Sequence, residues 1–267
     1  MVSIPIAKKS LGQHWLQDAT ALTAMCQAAD VGSGDNVLEI GPGFGTLSQH
    51  LLNYGAHVVA LEFDETLIPP LRQKFAIATK DGRFSVVHGD IRTYDLTQLP
   101  PDYKVVANIP YYLTSNLMQL LSETINKPAA AALLMQKEVA ERICAPAGDM
   151  SILSLTTQFY WQVSLGVKVP AKLFVPPPKV DSQILIMQRR NTLAVTGGQI
   201  QDFFRLVKAG FSQRRKTLLN SLSAGLRLDK AIVGQMCESA LIDPSRRPQT
   251  LAMAEWLALF SAYKQSS

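Results

Sequence analysis

Hydrophobic and polar positions alternate in two ways between residues 36 and 190. Short runs of β-branched and other apolar residues are typical of strands, and most are separated by segments with apolar residues at helical spacing. The predicted strands are Asn36–Ile40, His57–Glu62, Phe84–His88, Lys104–Ala107, Ala130–Met135, Trp161–Val169 and Ser182–Gln188. The predicted helices are Asp18–Ala29, Thr46–Tyr54, Asp64–Phe75, Ser115–Ser122, Lys137–Cys144 and Ser151–Phe159. Strand and helix in alternation indicate an α/β domain over residues 1–190, with a mainly parallel sheet covered on both faces.

One predicted helix contains a local conflict. Pro69 and Pro70 stand inside Asp64–Phe75, and proline in a helix interior removes a hydrogen bond and clashes with the preceding turn. We therefore expect this helix to be kinked or split.

The pattern changes after Arg190. Residues 191–199, with Gly197-Gly198, are typical of a linker. The segments beyond it have helical spacing: Ile200–Phe211, Lys216–Ala224, Leu228–Ser239 and Leu251–Tyr263. We expect a small all-helical domain over residues 191–267.

Composition narrows the class of protein. The chain has 267 residues, 47% of them hydrophobic, which is enough to bury the core of one large domain with a small second one. The longest uninterrupted apolar stretch, Ala129–Met135, is shorter than the roughly 20 residues of a membrane helix. The first nine residues lack the apolar centre of a signal peptide. We expect a cytoplasmic location and no membrane partner.

The net charge and the residues that could bind a metal narrow the class of protein less than the composition does. Cys26, Cys144 and Cys237 are widely separated, and the four histidines show no ligand spacing, so we expect reduced thiols and no metal. The net charge of +5 favours a polyanionic partner without identifying it.

A glycine-rich turn follows the first strand of the alternating region, in Glu39-Ile40-Gly41-Pro42-Gly43-Phe44-Gly45. Such a turn lets the backbone approach a ligand at the carboxyl end of the strand. The spacing is G-x-G-x-G, whereas the dinucleotide fingerprint is G-x-G-x-x-G, and Pro42 lacks the amide donor that a pyrophosphate could use. The turn therefore disfavours a dehydrogenase.

Two acids stand in register with this turn. Glu62 ends the second predicted strand, where a carboxylate can bind both hydroxyls of a ribose. Asp90 follows the third, placed to accept from an adenine amino group while Ile91 packs against the ring. Either acid alone could be a strand-end or N-cap carboxylate, although Asp64 is a better N-cap candidate than Glu62. Together with the turn they favour an adenosyl ligand without a pyrophosphate, such as S-adenosylmethionine.

The tetrapeptide Asn108-Ile109-Pro110-Tyr111 closes the strand Lys104–Ala107. The Asn108 amide oxygen and the Ile109 carbonyl can both accept from one exocyclic amino group, and Tyr111 offers its face to a planar base. Asn-x-Pro is also an ordinary turn signal. Beside a cofactor site, the tetrapeptide indicates an enzyme that acts on an adenine amino group.

Taken together, these motifs resemble the ribosomal RNA adenine dimethylase family. The resemblance runs from about Lys8 to Tyr263 and includes Gly12–Leu16 and Phe174–Ser182. It implies S-adenosylmethionine-dependent N6-dimethylation of rRNA. It also implies a cofactor site formed by His14, Leu16, Gly41, Gly43, Glu62, Asp90 and Asn108. The implied catalytic residues are Asn108, Tyr111 and Phe174, with Phe174 closing the other side of the base.

The resemblance also points to one branch of the family. Pro176–Ser182 and Gly210–Leu222 are similar to the housekeeping branch, which dimethylates two adjacent adenosines in the 3′-terminal hairpin loop of 16S small-subunit rRNA during subunit biogenesis. Two alternatives stay open: methylation of DNA adenine or of large-subunit rRNA, the latter as in the resistance branch, and a non-catalytic role in ribosome assembly. We expect the partner to be rRNA within an immature small subunit, and the protein to be a monomer.

The chain departs from the family pattern at two places. His14-Trp15 stands where the family more often has Asn-Phe, and Ala107 stands where Gly is common. Histidine keeps hydrogen-bonding nitrogens and tryptophan keeps a large aromatic body, so we expect both to be tolerated. Ala107 puts cofactor affinity, not activity, in question.

Basic residues are the expected contacts to RNA phosphates, which contribute affinity more than sequence choice. The candidates are Lys8, Lys9, Lys179, Arg214, Arg215, Lys216, Arg246 and Arg247. The run Arg214-Arg215-Lys216 opens a predicted helix, and the helix dipole disfavours cations at that end. A basic cluster placed against this local preference is the best candidate for an RNA contact.

Overall fold

The computed structural model describes residues 12–213 and 215–266, and the chain divides into two compact units. The first contains Met1–Ala140 and Trp161–Arg189, and the second contains Glu141–Tyr160 and Arg190–Ser267. The predicted first domain includes Glu141–Tyr160, whereas in the structure this segment groups with the second unit. No helix among the described residues is long and apolar enough to cross a membrane.

A seven-stranded sheet forms the centre of the first unit, with strand order β4-β3-β2-β5-β6-β9-β7. β2 to β6 are parallel, and β9 and β7 are antiparallel to their neighbours. The mixed, mainly parallel sheet confirms the predicted α/β class. The strands are β2 (Asn36–Ile40), β3 (His57–Glu62), β4 (Phe84–His88), β5 (Lys104–Asn108), β6 (Ala130–Gln136), β7 (Trp161–Val169) and β9 (Ser182–Arg189).

A pair of short strands lies apart from this sheet. β1 (Trp15–Leu16) pairs antiparallel with β8 (Phe174–Val175), with Trp15 opposite Val175 and Leu16 opposite Phe174. Two residues are too few to show a period in the sequence, so no pattern predicted either strand.

The helices of the first unit are α1 (Ala19–Ala28), α2 (Thr46–Asn53), α3 (Ile68–Lys74), α4 (Ala76–Lys80) and α5 (Thr114–Glu123); α6 (Lys137–Ile143) spans the division between the units. Asp18 caps α1 by accepting the Ala21 N–H at 2.8 Å, one of the amides that lack a partner within the helix. Met25 and Cys26 on α1 and Leu51 on α2 are fully buried in a core that includes Val106 and Leu134 of the sheet.

The helix with two prolines is split, as predicted, but not at the prolines. Glu65–Leu67 form a 3₁₀ turn capped by Asp64, and α3 begins at Ile68, so Pro69 and Pro70 lie in its first turn. Amides there have no intrahelical partner to lose. A second break falls at Phe75, whose buried ring packs 4.5 Å from the ring of Phe84.

The second unit is helical, with a core of aromatic rings. Phe203 lies between Phe159 and Phe260, with ring centroids 5.2 and 5.5 Å apart, and Trp256 stacks on Phe211 at 5.5 Å. The four helices predicted after residue 199 are all present, with shifted ends. The helices are α7 (Ile152–Tyr160), α8 (Gln199–Gly210), α9 (Leu218–Leu226), α10 (Lys230–Ser239) and α11 (Met253–Gln265).

Two helical glycines of this unit should respond oppositely to a methyl group. A Cβ on Gly225 would lie 2.7 Å from Cα and Cβ of Ala209, so α8 and α9 could not keep their spacing, and we expect Gly225→Ala to destabilise by roughly 1–3 kcal/mol. A Cβ on Gly234 of α10 would meet nothing within 4 Å. We expect Gly234→Ala to stabilise by about 0.5–1 kcal/mol, because alanine restricts the unfolded chain.

Urea unfolding followed by circular dichroism measures both variants. Equal effects on the free energy of unfolding would mean that the α8–α9 contact does not limit the packing of this unit.

Candidate cofactor and base site

A cavity opens where the carboxyl ends of β2, β3, β4 and β5 meet, the edge at which open α/β sheets bind ligands. It lies wholly within the first unit. Its walls come from the segment before β1, the glycine turn, and the residues that follow β3, β4 and β5. The lining residues are Gly12, Gln13, His14, Trp15, Ile40, Gly41, Gly43, Leu61, Glu62, Phe63, Gly89, Asp90, Ile91, Arg92 and Asn108 to Leu113.

The glycine turn is fixed to the end of β3 by its own amides. Gly41 N–H donates to the Leu61 carbonyl at 2.9 Å, and Gly43 N–H donates to Glu62 Oε2 at 3.1 Å. Both glycines have positive φ, +69° and +57°, where side chains are strained. A Cβ on Gly43 would also lie 2.9 Å from Cδ1 of Trp15. The turn thus needs glycine for its conformation and for the close packing of Trp15.

Glu62 is buried, 5% exposed, and faces the cavity. Its Oε1 accepts the Asp64 N–H at 2.7 Å while Oε2 accepts the Gly43 N–H. Burial raises the pKa of Glu62, and these backbone donors oppose the rise. A carboxylate offers about four acceptor positions, so two remain for hydroxyl donors. Asp64 caps the following turn by accepting the Thr66 N–H. The N-cap residue is therefore Asp64, not the cavity-facing Glu62.

A second acid, Glu39, lies behind the same turn and is 1% exposed. Ser48 Oγ donates to its Oε2 at 2.5 Å. Burial raises the pKa of Glu39 to about 8, so the side chain is mostly a neutral acid at pH 7. Glu39 does not line the cavity, and we assign it to support of the glycine turn.

Asp90 and its neighbours form the wall beyond β4. Arg92 donates to both carboxylate oxygens of Asp90, and its hydrogen bonds lower the pKa of Asp90. Ile91 is buried, whereas Phe63 is 51% exposed, which is unusual for so large an apolar side chain. Phe63 was not among the predicted site residues. Its position directly after the strand-end acid Glu62 was the signal that could have identified it.

Asn108 is the last residue of β5. Its Nδ2 donates to the His14 carbonyl at 2.8 Å, which leaves Oδ1 as an acceptor. The Ile109 N–H donates to the Leu134 carbonyl at 3.1 Å. Within residues 12–213 and 215–266, no donor contacts Asn108 Oδ1 or the Ile109 carbonyl. Two acceptor oxygens on consecutive residues are therefore available at the cavity.

Tyr111 is held at both ends of its side chain. Its hydroxyl and Ser182 Oγ are 3.0 Å apart, and its ring lies 6.0 Å from the His14 ring with 24° between the planes. Burial raises the pKa of the Tyr111 hydroxyl, so it stays protonated. Tyr112 is 57% exposed and also lines the cavity. Both side chains border the cavity, because the tetrapeptide leads into a 3₁₀ turn.

Leu16 and Phe174 are not brought to the cavity. They are 4% and 2% exposed, lie opposite each other in the β1–β8 pair, and belong to the hydrophobic core. His14 does line the cavity, and its Nδ1 lies 2.7 Å from the Pro176 carbonyl. The base-closing role of Phe174 stays a prediction, since its ring is covered in this conformation. Ala107 is fully buried.

The predicted RNA contacts differ in their surroundings. Lys179 in the first unit, and Arg215 and Lys216 in the second, are exposed; the last two precede α9, which Thr217 caps. Arg246 instead makes an ion pair with Glu255 and donates to the Thr250 carbonyl at 2.7 Å, so its guanidinium holds the second unit together. Arg247 is also exposed. The other three candidates, Lys8, Lys9 and Arg214, lie outside the described residues.

Among the described residues, no group of three or more His, Cys, Asp and Glu side chains could hold a metal ion.

The fold and the cavity define a methyltransferase with a Rossmann-like sheet, and comparisons identify its family. The family model described as "Ribosomal RNA adenine dimethylase" matches residues 6–259. The chain is 42% identical over 260 residues to "Ribosomal RNA small subunit methyltransferase A" of Dehalococcoides mccartyi, covering 96% of this chain and 88% of that protein. For the protein of the same name from Enterococcus faecalis the identity is 39%, with coverages of 97% and 91%.

Solved structures show the same architecture. A dimethyladenosine transferase from Plasmodium falciparum superposes with a TM-score of 0.78 at 25% identity, covering 95% of this chain and 98% of that one. The 23S rRNA methyltransferase ErmE gives 0.76 at 26% identity, covering 94% and 100%. The chain belongs to the ribosomal RNA adenine dimethylase family. It is an S-adenosylmethionine-dependent rRNA adenine dimethyltransferase.

The two buried acids beside the glycine turn should respond differently to the same substitution. In Glu62→Gln the new NH2 group would face either the Gly43 or the Asp64 N–H, so we expect affinity for S-adenosylhomocysteine to fall by roughly 1–3 kcal/mol. Glu39→Gln resembles the neutral acid already present, so affinity should stay close to that of the wild type.

Calorimetric titration measures both affinities, with thermal unfolding as the check on folding. Equal losses in the two variants would show that Glu62 acts through the turn and not through the ligand.

Proposed function

We propose that the chain dimethylates the N6 amino groups of two adjacent adenosines in the 3′-terminal hairpin loop of small-subunit rRNA, within an immature subunit in the cytoplasm. The observation that carries the chemistry is the pair of available acceptors, Asn108 Oδ1 and the Ile109 carbonyl, in a cavity that Glu62 and Asp90 also line. The choice of rRNA is supported by relatives of 39–42% identity named as small-subunit methyltransferases, compared with 26% for ErmE.

The cavity residues fit an adenosyl ligand. Glu62 keeps acceptor capacity for two ribose hydroxyls, Asp90 offers a carboxylate to the adenine amino group, and Phe63 and Ile91 offer apolar surface to the ring. The glycine turn admits close backbone approach at Gly41, where a Cβ would meet nothing within 4 Å. When bound, S-adenosylmethionine supplies a methyl group activated by a sulfonium.

Asn108 and Ile109 would activate the target amino group. The lone pair of an adenine amino nitrogen is delocalised into the ring, which makes it a poor nucleophile. Accepting both N–H bonds at Asn108 Oδ1 and the Ile109 carbonyl favours a pyramidal nitrogen, whose lone pair is then available. Positioning and electrostatics supply most of the effect, and the proton can leave after transfer without a dedicated base.

Tyr111 would hold the base. An adenine reaches such a cavity only after extrusion from its stack, which costs a few kcal/mol. Stacking on an aromatic face returns roughly 1–3 kcal/mol per base. The contact between the Tyr111 hydroxyl and Ser182 Oγ at 3.0 Å fixes the ring before the base arrives. For Phe174 to close the opposite face of the base, its ring would have to leave the core.

The helical second unit would contribute RNA affinity. Arg215 and Lys216 are exposed cations beside Arg214 in the sequence, and the described ion pairs include neither. Together with Lys179 of the first unit they are suited to phosphate contacts, which favour binding of a polyanion without reading its sequence.

Asn108→Ala should lower the single-turnover rate of methyl transfer by about 10²–10³-fold, because the acceptor acts chiefly as the nitrogen becomes pyramidal. Affinity for S-adenosylhomocysteine and for subunits should change little. Tyr111→Phe is the matched control, since it keeps the ring and loses only the hydroxyl contact to Ser182; we expect a much smaller loss.

The substrate is tested by incubating labelled cofactor with undermethylated small subunits, large subunits and DNA. Incorporation into small subunits only, at two adjacent adenosines, is the expected result. Incorporation into large subunits would favour the resistance-type activity. Binding to subunits without transfer to any substrate would favour a non-catalytic assembly factor.

Replacing Arg215 and Lys216 with Gln should weaken RNA binding and reduce the slope of log K against log salt by roughly 1 to 2, since fewer counterions are released. The control replaces Arg205 and Lys264, which are both paired with Asp202 in the same unit. Its slope should match the wild type. Two equal slopes would assign the Arg215 and Lys216 charges to ordinary solvated surface.

A further inference from the structure

Arg92 makes several hydrogen bonds to the Asp90 carboxylate at the wall of the cavity. Its Nε lies 3.0 Å from Oδ1 and 2.9 Å from Oδ2, and its second terminal nitrogen lies 2.5 Å from Oδ2. The backbone N–H of Arg92 also donates to Oδ1, at 2.9 Å. Three donor groups of one residue therefore hold one carboxylate. The pair is not a remote surface contact, since both residues line the cavity.

These hydrogen bonds restrict what else the Asp90 carboxylate can bind. A carboxylate offers about four acceptor positions, and the three donor groups of Arg92 occupy most of them. The side chain cannot rotate to offer a different oxygen without breaking several bonds, some of them charge-assisted. What remains is a limited acceptor capacity in a fixed orientation on an ionised group. Such an acceptor suits an N–H donor and repels a carbonyl oxygen.

We propose that Arg92 is a positioning residue that locks the Asp90 carboxylate so that it selects the amino group of the cofactor's adenine. The proposal rests on the cofactor role of Asp90 in the proposed function. It deepens that role by assigning the selectivity to a second residue.

The surroundings of the pair support a role beyond stability. The side chains of Arg92 and Asp90 are 53% and 20% exposed, and an ion pair this accessible contributes little to folding. The hydrogen bonds from Arg92 also lower the pKa of Asp90, which keeps an acceptor, not a hydroxyl donor, at the cavity wall. The bond network is thus concentrated at a ligand wall where its stabilising effect is small.

The chain contains a matched control pair. Arg83 and Asp81 have the same spacing in sequence, are 39% and 51% exposed, and approach to 3.9 Å. Neither lines the cavity. Arg83→Met therefore removes the same guanidinium from a similar local pair without touching the candidate site.

The experiment compares two ligands by calorimetry: S-adenosylhomocysteine and S-inosylhomocysteine, in which a carbonyl oxygen replaces the amino group. The wild type should prefer the amino ligand by at least about 10-fold, since a site built to bind a donor rejects the analogue that lacks it. Arg92→Met should weaken S-adenosylhomocysteine binding by roughly 5- to 10-fold and reduce the preference by about 3-fold or more. Arg83→Met should match the wild type in both quantities.

A conservative variant separates charge from orientation. Arg92→Lys keeps a positive charge but not the planar fork that spans both oxygens. We expect it to recover much of the affinity for S-adenosylhomocysteine and only part of the preference. Full recovery of the preference by lysine would overturn the orientation argument.

Other results overturn the inference in distinguishable ways. Unchanged or tighter S-adenosylhomocysteine binding by Arg92→Met would make Arg92 a bystander or a competitor of the ligand. Asp90→Asn with wild-type affinity and preference would remove Asp90 from the ligand contacts, and the inference with it. A wild-type chain without affinity for S-adenosylhomocysteine would contradict the proposed function itself.

Discussion

The cavity depends on the Glu62 carboxylate, which accepts one backbone N–H from each side. Gly43 N–H reaches Oε2 at 3.1 Å, and Asp64 N–H reaches Oε1 at 2.7 Å. One buried acid thereby joins the turn after β2 to the turn after β3. Desolvation of a carboxylate is costly unless donors compensate it. The two amides compensate part of that cost, and in the proposed function the remaining lone pairs accept from the ribose hydroxyls.

The other side of the cavity has a similar arrangement, in which one hydrogen bond within the protein orients a second group toward the cavity. Asn108 has a donor and an acceptor on one amide, and the His14 carbonyl takes the donor at 2.8 Å. The acceptor is therefore fixed in place, and in the proposed function it needs no reorganisation at the moment of reaction. The cofactor and base walls share the segment Gly12–Trp15, so its placement affects both.

Much of this was accessible from the sequence, because it depends on local patterns. β2, β3 and β4 have their predicted bounds, since a five- or six-residue apolar run between turn signals leaves little choice of ends. The glycine turn, Glu62, Asp90 and Asn108 could be placed because the carboxyl ends of parallel strands share one edge. The cavity brings all of them together.

Other features depend on contacts that no local pattern records. The β1–β8 pairing joins residues far apart in sequence and buries Leu16 and Phe174, both of which the family resemblance assigned to ligand contacts. Glu141–Tyr160 belongs to the helical unit because rings such as Phe159 pack on Phe203 there, although its apolar spacing continues the α/β pattern. The hydrogen bonds between Arg92 and Asp90 depend on the side-chain rotamers of both residues, which sequence spacing does not determine.

The packing of Trp15 on Gly43 has a spectroscopic consequence. The chain has three tryptophans, and Trp161 and Trp256 are both 0% exposed, whereas Trp15 is partly exposed in the cavity wall with its ring 4.3 Å from that of Phe44. An aqueous quencher such as iodide therefore reaches one indole far more readily than the other two. Because that indole contacts the glycine turn, the accessible fraction of tryptophan emission reports directly on whether the turn is covered by a ligand, without any label.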